Sequence, residues 1–284
     1  MPEIILRKYT ADDESVLKKY FANKDNRHYV KEIDDWSRDK FTVAKYNGVV
    51  AGYLLASIDT GNCQAFIYVS PEYRRHGIGT VLCHEAGRLC SEKGEKEMWG
   101  YYYDIDTIKF TDKLGFYFTT SSVYMEYTSG IIPEQNRYVI RNCKECTRED
   151  YYRWQYIWNK GFHEMRVRIG YPDSKMTEIT EEGFQNFIES DDNFMLENGG
   201  KIVGHGVISG NEIGALGVDT EEFNKGYGTA LAIFMTNEIL KRGHKIAHSM
   251  CETKNYNSRH VHEKIGYRIT DTSYCSFKKI EMEI

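Results

Sequence analysis

Alternating and helically spaced apolar positions follow one another in the same order twice along the chain. In the first half Ile4-Ile5-Leu6-Arg7 reads as a strand. Thr10 to Asp13 has the form of a helix-capping box, followed by Val16, Leu17, Tyr20 and Phe21 at helical spacing. In the second half Tyr138 to Arg141 is the strand, Thr147 to Asp150 the cap, and Tyr151, Trp154, Ile157 and Trp158 the apolar stripe. Phe41 to Ala56 predicts a hairpin turned by Asn47-Gly48, and Phe194 to Ile208 predicts its counterpart, turned near Asn198-Gly199. Each hairpin leads to a further strand, a glycine turn and an amphipathic helix. Val81, Leu82, Ala86, Leu89 and Cys90 line one face of the first helix; Leu231, Phe234, Met235, Ile239 and Leu240 line one face of the second. A short helix and closing strands complete each copy. The interval between matching features grows along the chain, which implies small insertions in the second copy.

The glycine turns carry the candidate chemistry. Val69 to Gly77, Gly79 and Thr80 form one; Val218 to Gly226, Gly228 and Thr229 form the other. A strand that bends through glycine into a helix aims unpaired main-chain amides at one point, where an anion can sit. Arg74, Arg75 and Lys225 add positive charge beside the turns. Neither turn has the Gly-Lys-Ser/Thr ending that grips a nucleotide's outer phosphates and its magnesium ion.

With 284 residues, two domains are expected, 1–130 and 137–284, joined by a linker from Ser129 to Asn136 in which Gly130 and Pro133 interrupt the pattern. Composition, with 41% hydrophobic and 28% charged residues, is that of a globular protein. No apolar run approaches the roughly 20 residues needed to cross a bilayer, and the N-terminus lacks the layout of a secretory signal, so a cytoplasmic protein without membrane partner is expected. A net charge of −5 argues against a general nucleic-acid binder. The seven scattered cysteines read as reduced thiols. Cys143 and Cys146 form a lone CxxC without a second ligand pair, and no metal site is expected.

Both halves resemble the GNAT superfamily of acetyl-CoA-dependent N-acetyltransferases. The two turns resemble its pyrophosphate loop, and Asn255 to Tyr267 resembles its second signature, N-x-x-A/S-x-x-L-Y-x-K-x-G-F/Y; Asp104 to Phe116 matches only the end of that signature. The resemblance implies an α+β fold of two tandem domains, each a mixed, mostly antiparallel sheet flanked by helices. It implies acetyl-CoA as cofactor, held by Gly77, Gly79, Gly226, Gly228 and their neighbours, with Asn255 as a pantetheine or loop-fixing contact. Main-chain amides near Ile67 to Val69, or Leu216 to Val218, are the implied oxyanion donors. The basic position of the loop is Arg74 in the first half but Phe223 in the second. The family's frequent tyrosine, which can protonate the departing thiolate, maps to Thr111 and His262.

Acetyl transfer to an amine needs a base, oxyanion donors and a group that manages the leaving thiolate. Direct attack needs no enzyme nucleophile when both substrates are held together. Period-2 alternation places Glu212 on the face of Leu216 and Val218, where a carboxylate at the strand entry is a common position for the family's base; the first half offers Cys63 and Gln64 there. His262 is the candidate acid. His205 and His248 read as structural. These expectations favour catalysis in the second half on a small amine, such as an aminoglycoside-like antibiotic, a polyamine, an amino acid or a peptide N-terminus. The alternative is a duplicated acyl-CoA sensor or scaffold without turnover.

Overall fold

The computed structural model describes residues 3–22, 38–59, 61–134, 137–171, 176 and 178–280. Gln135 and Asn136 of the expected linker lie outside the described residues. The chain divides into two compact units: Met1–Thr120 with Ser273–Ile284, and Ser121–Thr272. The expected division into 1–130 and 137–284 gives each copy its own closing strand; the contacts assign the closing strands crosswise.

The first unit contains β1 (Ile4–Lys8), α1 (Glu14–Phe21), β2 (Phe41–Tyr46), β3 (Val49–Asp59), β4 (Asn62–Val69), α2 (Ile78–Glu92), β5 (Glu97–Tyr102) and α3 (Thr107–Lys113). Strand β6 (Phe118–Tyr127) starts in this unit and passes to the second. The second unit continues with β7 (Val139–Asn142), α4 (Arg148–Ile169), α5 (Glu181–Glu189), β8 (Asn193–Asn198), β9 (Lys201–Ser209), β10 (Glu212–Val218), α6 (Tyr227–Lys241), β11 (Ala247–Glu252) and α7 (Tyr256–Ile265). Strand β12 (Arg268–Lys279) returns to the first unit.

In the first unit the strand order is β1-β2-β3-β4-β5-β12. All neighbours run antiparallel except β4 and β5, which are parallel and pair only at Gln64 and Trp99. On one face, Leu17, Tyr20 and Phe21 of α1 pack with Phe41, Tyr53, Phe66 and Tyr68. On the other, Leu82, Ala86 and Cys90 of α2 pack with Ala44, Leu54 and Cys63. Leu17 and Leu82 are fully buried, each a gain of roughly 2 kcal/mol over exposure.

The second unit repeats this plan in the order β7-β8-β9-β10-β11-β6. Again one neighbouring pair is parallel, β10 with β11, and its register is limited to Glu212 with His248 and Ile213 with Ser249. Met235 and Ile239 of α6 cover one face with Ile208 and Ile213; Trp154 and Ile157 of α4 cover the other with Met195, Ile202 and Phe187 of α5.

The repeated caps explain how each first helix is set on its sheet. Asp13 is buried and takes Arg7 Nη1 at 2.6 Å, and its carboxylate also accepts from the Thr10 amide at 2.9 Å. Burial opposes its charge, but the Arg7 guanidinium and the Thr10 bonds hold its pKa below the usual carboxylate value. In the second unit Asp150 accepts from the Thr147 amide at 3.0 Å and meets Arg141 Nη2 at 3.4 Å. In both copies, therefore, the arginine of the first strand holds the carboxylate of the capping box.

Cys63 of β4 and Cys90 of α2 are joined by a disulfide, which corrects the expectation of seven thiols. A spacing of 27 residues carries no local signal; the fold brings the two Cα atoms to 6.2 Å, within bridging range. The other five cysteines are buried. Among the described residues no group of three or more His, Cys, Asp or Glu side chains could hold a metal ion. Nor is any helix there long and apolar enough to cross a membrane.

Candidate active site

The first turn is built from a short 3-10 segment and two left-handed residues. The Tyr73 amide donates to Ser70 O at 2.9 Å, and Arg74 Nε donates back to Val69 O at 3.1 Å, which folds the loop onto the strand end. Arg75 (φ 67°) and Gly77 (φ 85°) then reverse the chain. The first helical bond runs from the Val81 amide to Gly77 O, so the amides of the preceding turn are left facing outward. The second turn has the same backbone: Asn224 (φ 64°), Gly226 (φ 89°) and a first helical bond from the Ala230 amide to Gly226 O.

Beside the first turn lies a cavity of about 580 Å³. It follows from the parallel pair: β4 and β5 are joined at Gln64 and Trp99 and separate toward the turn. Gly100 lets them meet at the base, since a Cβ there would collide with the Ala65 carbonyl oxygen. Ile67, Val69, Arg74, Arg75, Gly77, Gly79 and Thr80 all line the cavity. Tyr101 of β5, Tyr103 just beyond it and Phe110 of α3 form much of the remaining wall. Tyr102 is tied to Ser276 of β12 at 2.7 Å, and Ser276 to Thr119 at 2.7 Å. The second turn borders a smaller cavity of about 210 Å³, lined by Arg137, Tyr138, Lys225, Gly226, Thr229 and Lys264 among others.

The fold that carries these two turns is found in known proteins. The sequence model of the Acetyltransferase (GNAT) family matches residues 13–116, and that of FR47-like protein matches residues 207–276. A GCN5-related N-acetyltransferase from Sphaerobacter thermophilus superimposes with a TM-score of 0.69 at 14% identity, over 99% of this chain and 97% of its own. A tandem GNAT protein from the clavulanic acid biosynthesis pathway gives 0.59 at 13% identity, over 100% of both chains. A Pyrococcus horikoshii protein described as an acetyltransferase gives 0.57 at 14%, over 99% and 90%. No curated protein matches the sequence.

The chain is a GNAT protein with two such domains.

Proteins of this family generally transfer acetyl groups from acetyl-CoA, and the tandem GNAT chain has the parts to hold it. Main-chain amides and Arg74 and Arg75 suit a diphosphate, and the strand split beside them suits an extended apolar arm. The second loop is differently charged. Lys225 Nζ is held by Glu222 at 2.6 Å, and Tyr138 donates to Lys225 O at 2.9 Å. Arg153 ion-pairs with buried Asp219, which also caps the short helical turn after β10. Leu216, Val218 and Gly228 pack together under α6 rather than lining the smaller cavity. Asn255 stands at the N-cap of α7, where its Oδ1 accepts from Arg168 Nη2 at 3.4 Å.

Two expectations about catalytic residues are corrected. Glu212 does not share the face of Leu216 and Val218. Ile213 pairs with Ile208 but Ala215 with Val207, so Gly214 is bulged out and alternation flips there. Glu212 therefore lies with Val207 and Ala215 on the α4 side of the sheet. It also stands six positions from Val218, roughly 20 Å along an extended strand. Burial raises its pKa, and the neighbouring His248 lowers it. His262 is buried with both ring nitrogens engaged: Nε2 with Ser249 Oγ at 3.0 Å and Nδ1 with Ser258 O at 2.8 Å. It fastens α7 to β11, and burial lowers its pKa. Thr111, at the matching place in the first unit, turns its hydroxyl back to Ile108 O at 3.0 Å.

The sequence reading did not single out Ser276 and Phe110. Ser276 arrives from the last strand of the chain, so nothing local marks it. Phe110 stands at the leucine position of the signature, just before Thr111, where an apolar residue marks packing rather than a contact; a Cβ on Gly79 would stand 3.1 Å from its ring.

Proposed function

We propose that this GNAT protein is an N-acetyltransferase that passes an acetyl group from acetyl-CoA to a small amine by direct attack, with catalysis in the second unit. The observation that supports cofactor binding best is the cavity at the first turn, where all seven of the expected first-unit contacts come together. Gly77, Gly79 and Thr80 would hold the diphosphate through their amides, and Ile67 and Val69 would border the extended arm. Acetyl-CoA supplies an acetyl group already activated as a thioester.

The two units differ in what faces each strand split on the side away from its loop helix. In the first unit that side is filled by the stacked rings of Tyr53 and Tyr68, at 5.6 Å, beneath Tyr20 of α1. Cys63, at the strand entry, is held in a disulfide and offers no base. In the second unit the matching pair is His205 and Gly217, with the His205 ring against Trp154 and Trp158, and the sheet is exposed further along, at Met250 of β11, 44% exposed. Glu126, His248 and Glu212 stand in one row across β6, β11 and β10, with His248 Nδ1 3.7 Å from Glu126. That row suits a cationic acceptor. Glu212, too far from Val218 to take a proton at the carbonyl, would hold the acceptor's positive charge.

The second reading, an acyl-CoA sensor without turnover, is favoured for the first unit alone by its aromatic plug. Calorimetry with acetyl-CoA, together with CoA thiol release against an amine panel, tests both. Two acetyl-CoA sites per chain and turnover abolished by a second-loop change support the proposal. Binding without turnover across the panel supports the sensor, and no binding at millimolar acetyl-CoA refutes both.

A further inference from the structure

The two units differ in the stretch between their first strand and its helix cap. Two residues separate Arg7 from Thr10 in the first unit; five separate Arg141 from Thr147 in the second. The longer stretch carries Cys143 and Cys146, the CxxC pair that acetyl transfer leaves unused. It is folded as a turn: the Cys146 amide donates to Cys143 O at 3.1 Å, and the Cys143 amide to Asn193 O at 3.0 Å. The ends of such a turn lie within about 7 Å, close to the reach of a disulfide. Both residues are thiols in this structure.

The two sulfurs have different surroundings. Cys143 is fully buried. Cys146 is 8% exposed and stands just before Thr147, the N-cap of α4. Arg141 Nη1 donates to Cys146 Sγ at 3.4 Å, and the Cys143 thiol donates to the same sulfur. That hydrogen bond and the Arg141 charge, working against burial, hold the Cys146 pKa below the usual thiol value. The same bond, with burial, raises that of Cys143. A guanidinium and a helix N-terminus are the surroundings in which a thiol ionises and becomes reactive.

The first unit shows that the cap itself needs no cysteine. Arg7 directs Nη1 and Nη2 to Asp13 at 2.6 and 2.5 Å. Arg141 keeps Nη2 for Asp150 at 3.4 Å, gives Nε to Glu197 at 2.7 Å and turns Nη1 to sulfur.

We propose that Cys143 and Cys146 are a redox-active pair, in which Cys146 attacks hydrogen peroxide and Cys143 closes a disulfide. The pair acts whether or not either loop holds acetyl-CoA. The Cys146 thiolate forms an S–O bond as the O–O bond breaks and hydroxide leaves. The Cys143 sulfur then attacks Cys146; the S–O bond breaks, and water departs with the Cys143 proton. Two electrons, one from each sulfur, reduce the peroxide to hydroxide and water. A small thiol such as glutathione restores the pair by exchange. In the bridged state Arg141 has lost its sulfur anion and keeps Asp150 and Glu197.

Mass spectrometry of the full chain tests this. The reduced pair is exposed to hydrogen peroxide, quenched in acid, alkylated and digested. A Cys143–Cys146 disulfide is expected to form about tenfold faster than Cys83, Cys251 or Cys275 gains oxygen, and to open again with glutathione. In Cys143→Ser the sulfenic acid stays on Cys146 and is trapped by dimedone. In Cys146→Ser, Cys143 is no longer oxidised. Arg141→Gln slows the bridging about tenfold. A wild-type pair that stays reduced at millimolar peroxide overturns the proposal. So does a folded Cys146→Ser chain whose Cys143 is oxidised at the wild-type rate. The first measurement uses the unaltered chain, so a variant that fails to fold does not decide the outcome.

Discussion

The two glycine turns share a backbone and differ in almost everything placed around it. Left-handed residues fall at equivalent places, and each helix begins with the same hydrogen bond. Yet the first turn opens on a large cavity flanked by exposed arginines, while the second ties its lysine to Glu222. On the opposite side the relation reverses: the first unit is plugged by tyrosines, and the second places a bare glycine beside an unpaired histidine. A main-chain cradle is set by φ and ψ and survives duplication. Side chains facing the strand split do not contribute to that geometry, so they are free to diverge.

The comparison can be broken most sharply at the loops. Gly228→Val is expected to abolish turnover, by at least 100-fold, and to leave one acetyl-CoA site in calorimetry. A Cβ at Gly228 would meet Val261, Val218 and Leu216 at 3.6–4.0 Å, so the valine methyls press on the packing beneath the loop, and Gly228→Ala with a wild-type thermal midpoint separates loss of the ligand from loss of the fold. Gly77→Val should instead remove the first site and spare turnover, although its φ of 85° makes it the more strained change. Equal loss of turnover in both would mean that the units do not differ as described.

The next effect is on stability. His205 carries a pKa of about 3 in the folded chain and about 6.5 when unfolded, so between these values the unfolded chain binds the extra proton. Its neutral burial is compatible with full stability above pH 6.5 and costs stability as pH falls toward 3. The slope is at most about 1.4 kcal/mol per pH unit from this group. Urea midpoints at pH 7 and pH 5 should differ more in the wild type than in His205→Asn.

Glu212→Gln is expected to lower kcat/KM for a cationic amine about tenfold, a loss of roughly 1.4 kcal/mol, without changing acetyl-CoA affinity. Unchanged amine kinetics would remove Glu212 from acceptor binding. Arg74→Ala and Arg75→Ala should have the smallest effect. Both side chains are exposed and screened, so each should weaken acetyl-CoA binding only a few-fold, less at high salt.

Much of this molecule could be read along the chain. The capping boxes at Thr10 and Thr147, the Asn47-Gly48 turn and the two glycine loops each rest on residues close together in sequence, and the resemblance followed from them. All seven expected contacts of the first loop line one cavity for the same reason: a strand end, a turn and a helix start are contiguous. The second-unit chemistry was harder. One bulged residue, Gly214, reversed the face of Glu212, and period-2 reasoning has no means of detecting an insertion in the ladder. His262 carried a motif position, but its two serine partners come from the helix itself and from β11.

By itself the sequence determined the duplicated strand–turn–helix units, their caps and the place of each glycine turn, because those depend on local dihedral preferences and short-range periodicity. Tertiary structure alone decided that Cys63 meets Cys90, that Ser276 closes the first cavity, and that His205 lies over Gly217. Each of these joins residues on different strands or on a strand and a helix. Such pairings are set by register and by which strand closes which sheet, neither of which is written in any stretch of neighbouring residues.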